Sequence, residues 1–543
     1  MSRHDVLKAL DRRLGRSAVR HWAVQARNAF VELAGVRLFS RVVGSDHGLG
    51  EARRLAGARR RRARTGVRPV LFLSPFYWPV HLAWEVTLEQ AVRAAGHPTV
   101  VAGCGGLFPQ CDAFVYEKNR AATCATCRFV HRKFFELLGG EPPLRPADLV
   151  DLDQLRAEAA AHVAGLDSTA LRSLEVDGRP VGAWALASVT RHLRTAGPGP
   201  GDEAIDRDFV ASTIIALRAY TALLDRVNPS TVVVLNGKFF AQRVMLELAR
   251  ERGIEVVSYE RGNVKNTLVF GRNRPAVPFD VAALWPARRI HPLTAAEDER
   301  LDDYLRARIR LGNAQVPFFD RPIHSLATIR KVLRLDDRPF DVLFTNLIWD
   351  SAVCGEDLVF PSMFAWLRAA VTEAARTPER LLVIRAHPAE VKVWWQPTRA
   401  TVAGFLQGAF PRLPENVRLV PPESEVDSYA LMAAAETGLV YTSSAGMEMA
   451  IGGRPVLVAA RAVYRGAGFT FDPETPAAFA ELMARRGRLR MNHQARELAR
   501  RFAHLVYFEA SVPIPWVDER GELGFRFTVE SFAETPPALP FLA

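Results

Sequence analysis

Short apolar runs recur along this chain, separated by stretches whose apolar positions fall at helical spacing. Val67 to Ser74 reads as a strand ending in the turn Pro75-Phe76-Tyr77-Trp78-Pro79. A helix follows from about His81 to Ala95, Gly96-His97-Pro98 stops it, and Thr99 to Ala102 resumes as a strand. The pattern returns with the strand Thr231 to Leu235, the helix Phe239 to Arg252 and the strand Glu255 to Tyr259, whose ends carry Asn236-Gly237 and Glu260-Arg261-Gly262. Past a mostly helical stretch from Thr294 to Leu335, strand Asp341 to Thr345, helix 361–376, strands Leu381 to Ile384 and Val417 to Val420, helix Ser428 to Ala435, strand Leu439 to Tyr441, a helix from Ala445 and strand Pro455 to Val458 continue it. Such alternation predicts parallel sheets covered by helices on both faces. A chain of 543 residues exceeds what one core holds. The reading is therefore α/β, with two Rossmann-like domains facing a cleft and a basic helical extension in front.

The expected division is a basic amphipathic extension over 1–66, a first Rossmann-like domain over 67–293 that binds the acceptor and carries a Cys-rich loop and a helical insertion, a bridge over 294–335, a second Rossmann-like domain over 336–513, and a Pro-rich tail over 514–543 that packs back across the domains.

Ligands of open α/β sheets bind outside the carboxyl ends of the strands, which directs attention to two polar turns. One is Arg385-Ala386-His387-Pro388 and the other Ser443-Ser444-Ala445-Gly446-Met447-Glu448. A guanidinium, an imidazole, two hydroxyls and the free N–H groups of a helix start suit a phosphate or diphosphate. Taken singly, His387 reads as a packing residue and one serine as a helix cap. Gly446 allows close backbone approach, and Glu448 lies one turn into the helix, where it can reach sugar hydroxyls. A phosphate-binding G-x-x-x-x-G-K-[ST] loop, a dinucleotide G-x-G-x-x-G and a G-x-S-x-G nucleophile turn are all missing. The acidic pair Asp151-Leu152-Asp153 opens a helix and reads as its start.

Charge is uneven, for about +11 of the net +12 falls in the first 65 residues, including Arg59-Arg60-Arg61-Arg62-Ala63-Arg64. With Trp22, Phe30, Leu33, Val36, Leu38 and Phe39 nearby, this flank suits an acidic surface such as the anionic inner leaflet; a solvated helical extension is the alternative. No nucleic-acid module accompanies the charge. Neither a bilayer-spanning run nor a secretory h-region is found, so a cytoplasmic protein, peripheral at the membrane if the flank binds it, is the expectation.

Cys104, Cys111, Cys124 and Cys127 cluster within a short segment, the last two spaced C-x-x-C, while Cys354 stands apart. In a cytoplasmic chain such a group suits structural zinc or an iron–sulfur cluster, with free or redox-active thiols as the alternative.

The order Arg385-x-His387-Pro388, Ser424, Ser428-Tyr429, Tyr441-Thr442-Ser443-Ser444-x-Gly446-x-Glu448, Gly453-Arg454-Pro455-Val456 and Tyr464-Arg465-Gly466-x-Gly468-Phe469-Thr470 resembles bacterial capsule and surface-polysaccharide glycosyltransferases, in particular the group that includes capsule Kdo transferases. The resemblance covers roughly the last 200 residues. It implies a GT-B fold in which Arg385, His387, Ser443 and Ser444 bind the phosphate of a nucleotide-sugar donor, CMP-linked in related enzymes, and Glu448 orients it. Asn236, Lys238 and Tyr464 are then candidate substrate contacts. The acidic-acidic-Gly motif that supplies the base in related enzymes has no secure match, so the candidates for the base are Glu260, Glu85 and Asp350. The implied reaction is inverting transfer to a glycan or lipid-linked glycan, with no cofactor or metal required for catalysis. A nucleotide-sugar epimerase of the same fold, or a noncatalytic polysaccharide assembly or export factor, are the alternatives.

Overall fold

The computed structural model describes residues 48–55, 66–116, 120–138, 140–279, 281–311, 319, 322–392, 397–520, 524–530, 532 and 539. Most of the basic 1–66 extension thus lies outside the described residues. Five strands open the first sheet: β1 (Val70–Leu73), β2 (Thr99–Ala102), β3 (Thr231–Leu235), β4 (Glu255–Arg261) and β5 (Thr267–Arg272). Five more form the second: β6 (Phe340–Phe344), β7 (Leu381–Arg385), β8 (Val417–Val420), β9 (Gly438–Val440) and β10 (Val456–Val458). The chain ends with β11 (Val512–Pro513), β12 (Val517–Arg520) and β13 (Gly524–Phe527).

The first sheet runs β11-β5-β4-β3-β1-β2, parallel from β4 through β2 and antiparallel at β5 and β11; the second runs β10-β9-β6-β7-β8 and is parallel throughout. Two Rossmann-like sheets facing a cleft make this the GT-B arrangement. Successive side chains of a strand point to opposite faces, and helices cover both faces, so the strands are apolar at almost every position. Leu71, Leu73, Val232 and Val234 enter the core on one side of the first sheet, and Val70, Phe72, Val233 and Leu235 enter the core on the other. In the second sheet, Val342, Val383 and Val440 pack on one face, and Leu343, Leu382 and Leu439 on the other.

The sequence pattern misses β5 and ends β4 two residues early. Glu260 and Arg261 belong to β4 because they pair with Val269 and Leu268 of an antiparallel neighbour, whose length and polarity give no parallel-strand signal. The helical insertion contributes the helices Leu152–Val163, Ser168–Arg172, Val181–Leu193 and Glu203–Val227, which cover one face of the first sheet. Asp151 caps the first of them by accepting from the Gln154 N–H at 3.1 Å. After the second sheet the helix His493–His504 leads the chain back, and β11 joins the edge of β5. Ile514, Trp516, Val517, Phe525 and Phe527 then pack with Leu82, Trp84 and Phe134 on the first sheet's other face. No helix among the described residues is long and apolar enough to cross a membrane.

Candidate functional site

The second sheet reverses its strand order between β6 and β9, and the loops after these strands open the crevice at which a doubly wound sheet takes ligands. Asn346, just past β6, spans this point, its side-chain carbonyl accepting from the Thr442 N–H at 3.2 Å. On the neighbouring strand, the His387 N–H donates to Thr345 Oγ1 at 3.1 Å, and His387 Nδ1 accepts from the Ala389 N–H at 3.2 Å. An acceptor at Nδ1 puts the ring proton on Nε2. Burial, followed by the charge of Arg385, lowers the imidazole pKa to about 4. His387 is therefore a neutral imidazole at pH 7, with its ring proton on Nε2.

Arg385 itself is 2% exposed. Its guanidinium donates to the carbonyls of Pro421 at 2.8 Å and Ser424 at 3.1 Å, and lies over the Phe319 ring at 5.7 Å. It pins the loop after β8 and acts on the crevice through its charge; burial lowers its pKa only to about 10, so it remains a cation. Ser443 Oγ accepts from the Ala445 N–H at 3.3 Å, and Ser444 is exposed at the mouth.

Tyr464, past β10, and two positions of the serine turn, Gly446 and Glu448, are taken up by packing. Tyr464 is fully buried and its hydroxyl donates to the Ser443 carbonyl, so it supports the serine turn from behind. Gly446 leaves room for that ring: a Cβ there would lie 2.3 Å from Tyr464 Oη and 2.9 Å from Val440 Cγ2. Close approach at Gly446 is by Tyr464. Glu448 is held by Arg308 of the helix Ala295–Leu311 at 3.0 Å, a tie between the bridge and the serine turn.

The first sheet reverses between β1 and β3, bringing the aromatic turn after β1 beside Asn236-Gly237-Lys238. Glu260, at the end of β4, accepts from Asn236 Nδ2 at 3.2 Å and from the Arg261 N–H at 2.8 Å. Burial raises its pKa, and the charge of Asp350, reaching it from the loop after β6, adds to the rise. Burial also raises Asp350. The structure thus brings Glu260 and Asp350, from different sheets, into one electrostatic neighbourhood. Lys238 bridges the same gap, its Nζ donating to Glu356 at 2.7 Å and to the Cys354 carbonyl at 3.0 Å.

Glu85 is elsewhere. It is 5% exposed in the interior, hydrogen-bonded to Ser74 Oγ and, at 2.8 Å, to Tyr259 Oη. Burial raises its pKa to about 8, so it is a neutral acid at pH 7 and sits inside the domain, away from the cleft in which a base would act. Its helix, Pro79–Ala94, is buried on nearly all sides, and Glu85 is carried inward with its neighbours Trp84 and Val86.

Sequence reasoning places Asn346 at the end of the strand Asp341 to Thr345 without giving it a role, and passes over Arg191 and His81. Arg191, on the insertion helix Val181–Leu193, lies over Trp78 at 4.9 Å and Phe239 at 5.2 Å. Burial, then the charges of Arg261 and Arg191, depress the His81 pKa to about 3, and the Arg191 charge also reaches Asp350. The first half of the cleft is cationic and aromatic, a surface for an acidic or sugar-like ligand. Arg191 carried no local signal. The four clustered cysteines line a cavity of their own behind the aromatic turn.

No protein-family model matches this chain, and no curated protein matches it. Among solved structures it is similar to KpsC, a beta Kdo 2,7 transferase from Thermosulfurimonas dismutans, at 16% identity over 55% of this chain and 84% of that one, with a TM-score of 0.33. It is also similar to the UDP-GlcNAc 2-epimerase from Neisseria meningitidis bound to UDP-GlcNAc (12% identity, 81% of this chain, 99% of that chain, TM-score 0.25). A third likeness is to the spinosyn rhamnosyltransferase SpnG (14% identity, 80% and 95%, TM-score 0.25).

Proposed function

We propose that the protein is a GT-B glycosyltransferase that moves a sugar from a nucleotide-activated donor, CMP-linked in its most specific form, to a bacterial surface or capsular glycan or its lipid-linked precursor. The observation that supports this reading is that Glu260, whose pKa is raised by burial and, in smaller part, by the charge of Asp350 from the loop after β6, belongs to a chain whose neighbouring strand-end turns after β7 and β9 offer a neutral imidazole and two hydroxyls. In the proposed reaction the acceptor hydroxyl gives its proton to Glu260 as its oxygen attacks the anomeric carbon. The bond from that carbon to the donor phosphate breaks on the opposite face, with inversion. His387 Nε2–H, Ser443 and Ser444 receive the phosphate oxygens, and the buried Arg385 charge offsets the charge that develops there. Asp350 is the second candidate for the base, and Asn236 holds Glu260 in place. Arg191, with Trp78, supplies the acceptor surface.

The test is a thermal-shift panel of CMP, CDP, UMP, UDP and GDP on the purified chain, because a ligand that binds only the folded state raises the melting point. CMP or CDP alone should stabilise it. A response to UDP or GDP instead would change the donor, and release of free sugar from a UDP-sugar without an acceptor would make the protein an epimerase. Silence from all five nucleotides would sink the reading.

A further inference from the structure

We propose that Cys104, Cys111, Cys124 and Cys127 hold a [4Fe–4S] cluster, a site independent of the transfer reaction. The four thiols come from three places in the chain: the loop after β2, the start of the 3-10 turn at Asp112–Tyr116, and the helix Arg120–Leu137. They line one cavity of about 310 Å³, and none of them is in a disulfide.

The spacing of the sulfurs decides between one ion and a cluster. Zinc bound tetrahedrally by thiolates at about 2.3 Å sets the sulfurs about 3.8 Å apart. Among the described residues no three of these sulfurs lie within 4.8 Å of one another. In a cubane each thiolate binds a different iron, so the sulfurs stand around an inorganic core and lie further apart than on a single ion.

The surroundings match the same chemistry. Gly105 and Gly106 have φ of 71° and 91°, a backbone that glycine adopts without strain, so the loop after β2 can turn tightly beside Cys104. Cys104 Sγ accepts from the Leu107 N–H at 3.3 Å, with the backbone N–H groups of Gly106 and Phe108 close by. The backbone N–H of Ala113 lies against Cys111, and that of Tyr77 against Cys127. Hydrogen bonds from backbone N–H to sulfur are a principal means by which a protein stabilises cluster-bound thiolates. Phe108 and Phe114 supply an apolar wall, and Arg128 lines the same cavity with a positive charge against the net negative charge of four thiolates on a cubane. Through the Tyr77 contact, the cluster would anchor the aromatic turn that carries Trp78 to the cleft; its role is structural, and no electron transfer is assigned to it.

The full chain, purified under nitrogen and treated with ferric iron, sulfide and dithiothreitol, should hold about four irons and four acid-labile sulfides and show the broad visible absorption of an iron–sulfur chromophore. Cys104→Ser and Cys127→Ser should each lose more than half of the iron, and Cys354→Ser should keep it. Stoichiometric zinc with no uptake of iron, two irons per chain, or iron retained by both cluster variants would each overturn the proposal. The metal content of the unmodified protein decides the matter even if a variant fails to fold.

Discussion

The carboxyl ends of β6, β7 and β9 and those of β1, β3 and β4 face the same cleft, yet they are furnished from very different lengths of chain. On the second sheet, Asn346, His387 and Ser443 each stand within three residues of the strand that positions them. On the first sheet, Asn236, Lys238 and Glu260 are as local, but the rest depends on distant segments. Arg191 arrives from an insertion helix, Trp78 from a turn braced by that helix, and Arg261 is held by Glu519 of the terminal hairpin at 3.0 Å. A site fixed by strand ends inherits the rigidity of the sheet. One assembled from an insertion and a tail depends on their packing, and its specificity can change while the sheet stays as it is. That division suits a donor phosphate common to many enzymes on one side and an individual acceptor on the other.

Glu260→Gln tests the division most severely. Turnover should fall by about 10²- to 10⁴-fold, the range for losing a general base, while nucleotide affinity stays unchanged. A variant that loses nucleotide binding in step with turnover would put both functions on one side of the cleft. Within the first domain, Glu85→Gln contrasts an interior carboxyl with a cleft one. The folded pKa of about 8 lies above the ordinary value of 4.5, so the folded state binds the proton more tightly than the unfolded one. Wild-type stability is then lost as pH rises through that window, by an amount on the order of a few kcal/mol. Glutamine keeps the shape without titrating, so the variant should gain on the wild type between pH 5 and pH 8 in urea titrations. Parallel pH profiles would show that Glu85 is ionised in the fold.

His387→Ala should weaken nucleotide binding by about 1.5 to 3 kcal/mol, the loss of a hydrogen bond to a charged group, with a smaller effect on turnover at saturation. Because the imidazole is already neutral well below pH 7, wild-type affinity should show no step attributable to His387 between pH 5 and pH 8. Calorimetry on both proteins checks the two statements, and unchanged affinity in the variant would remove the phosphate assignment.

The parallel core was legible in the sequence, because strands buried on both faces leave uninterrupted apolar runs, and β2, β3 and β8 begin and end where those runs do. The edge strand β5 was not, since Thr267–Arg272 mixes glycine, arginine and apolar residues and is defined by its antiparallel partner. The same contrast governs the site. His387 and Ser443 follow apolar runs directly and stand out. The inward turn of Glu85 and Tyr464 follows from which face of an element is buried, and a glutamate in an apolar helix does not announce its side. Arg191 is one of many arginines in this chain, and only the packing of the insertion against the aromatic turn singles it out.

The smallest expected effect concerns how the two halves are tied. Lys238 and Glu356 are both nearly buried where they meet, so removing either leaves an unpaired charge in the cleft. Arg399 reaches Asp202, at the start of the insertion helix Glu203–Val227, at 2.8 Å, but its side chain is 47% exposed. Water and salt screen such a pair, and holding the long side chain costs entropy, so Arg399→Ala should lower stability by only about 0.2 to 1 kcal/mol. The difference should shrink further at high ionic strength. Urea unfolding with an unchanged slope would read it directly. A loss well above 1 kcal/mol, insensitive to salt, would mean that the insertion is coupled to the second sheet as firmly as to the first, and the assembled half of the cleft would then share the rigidity of the local one.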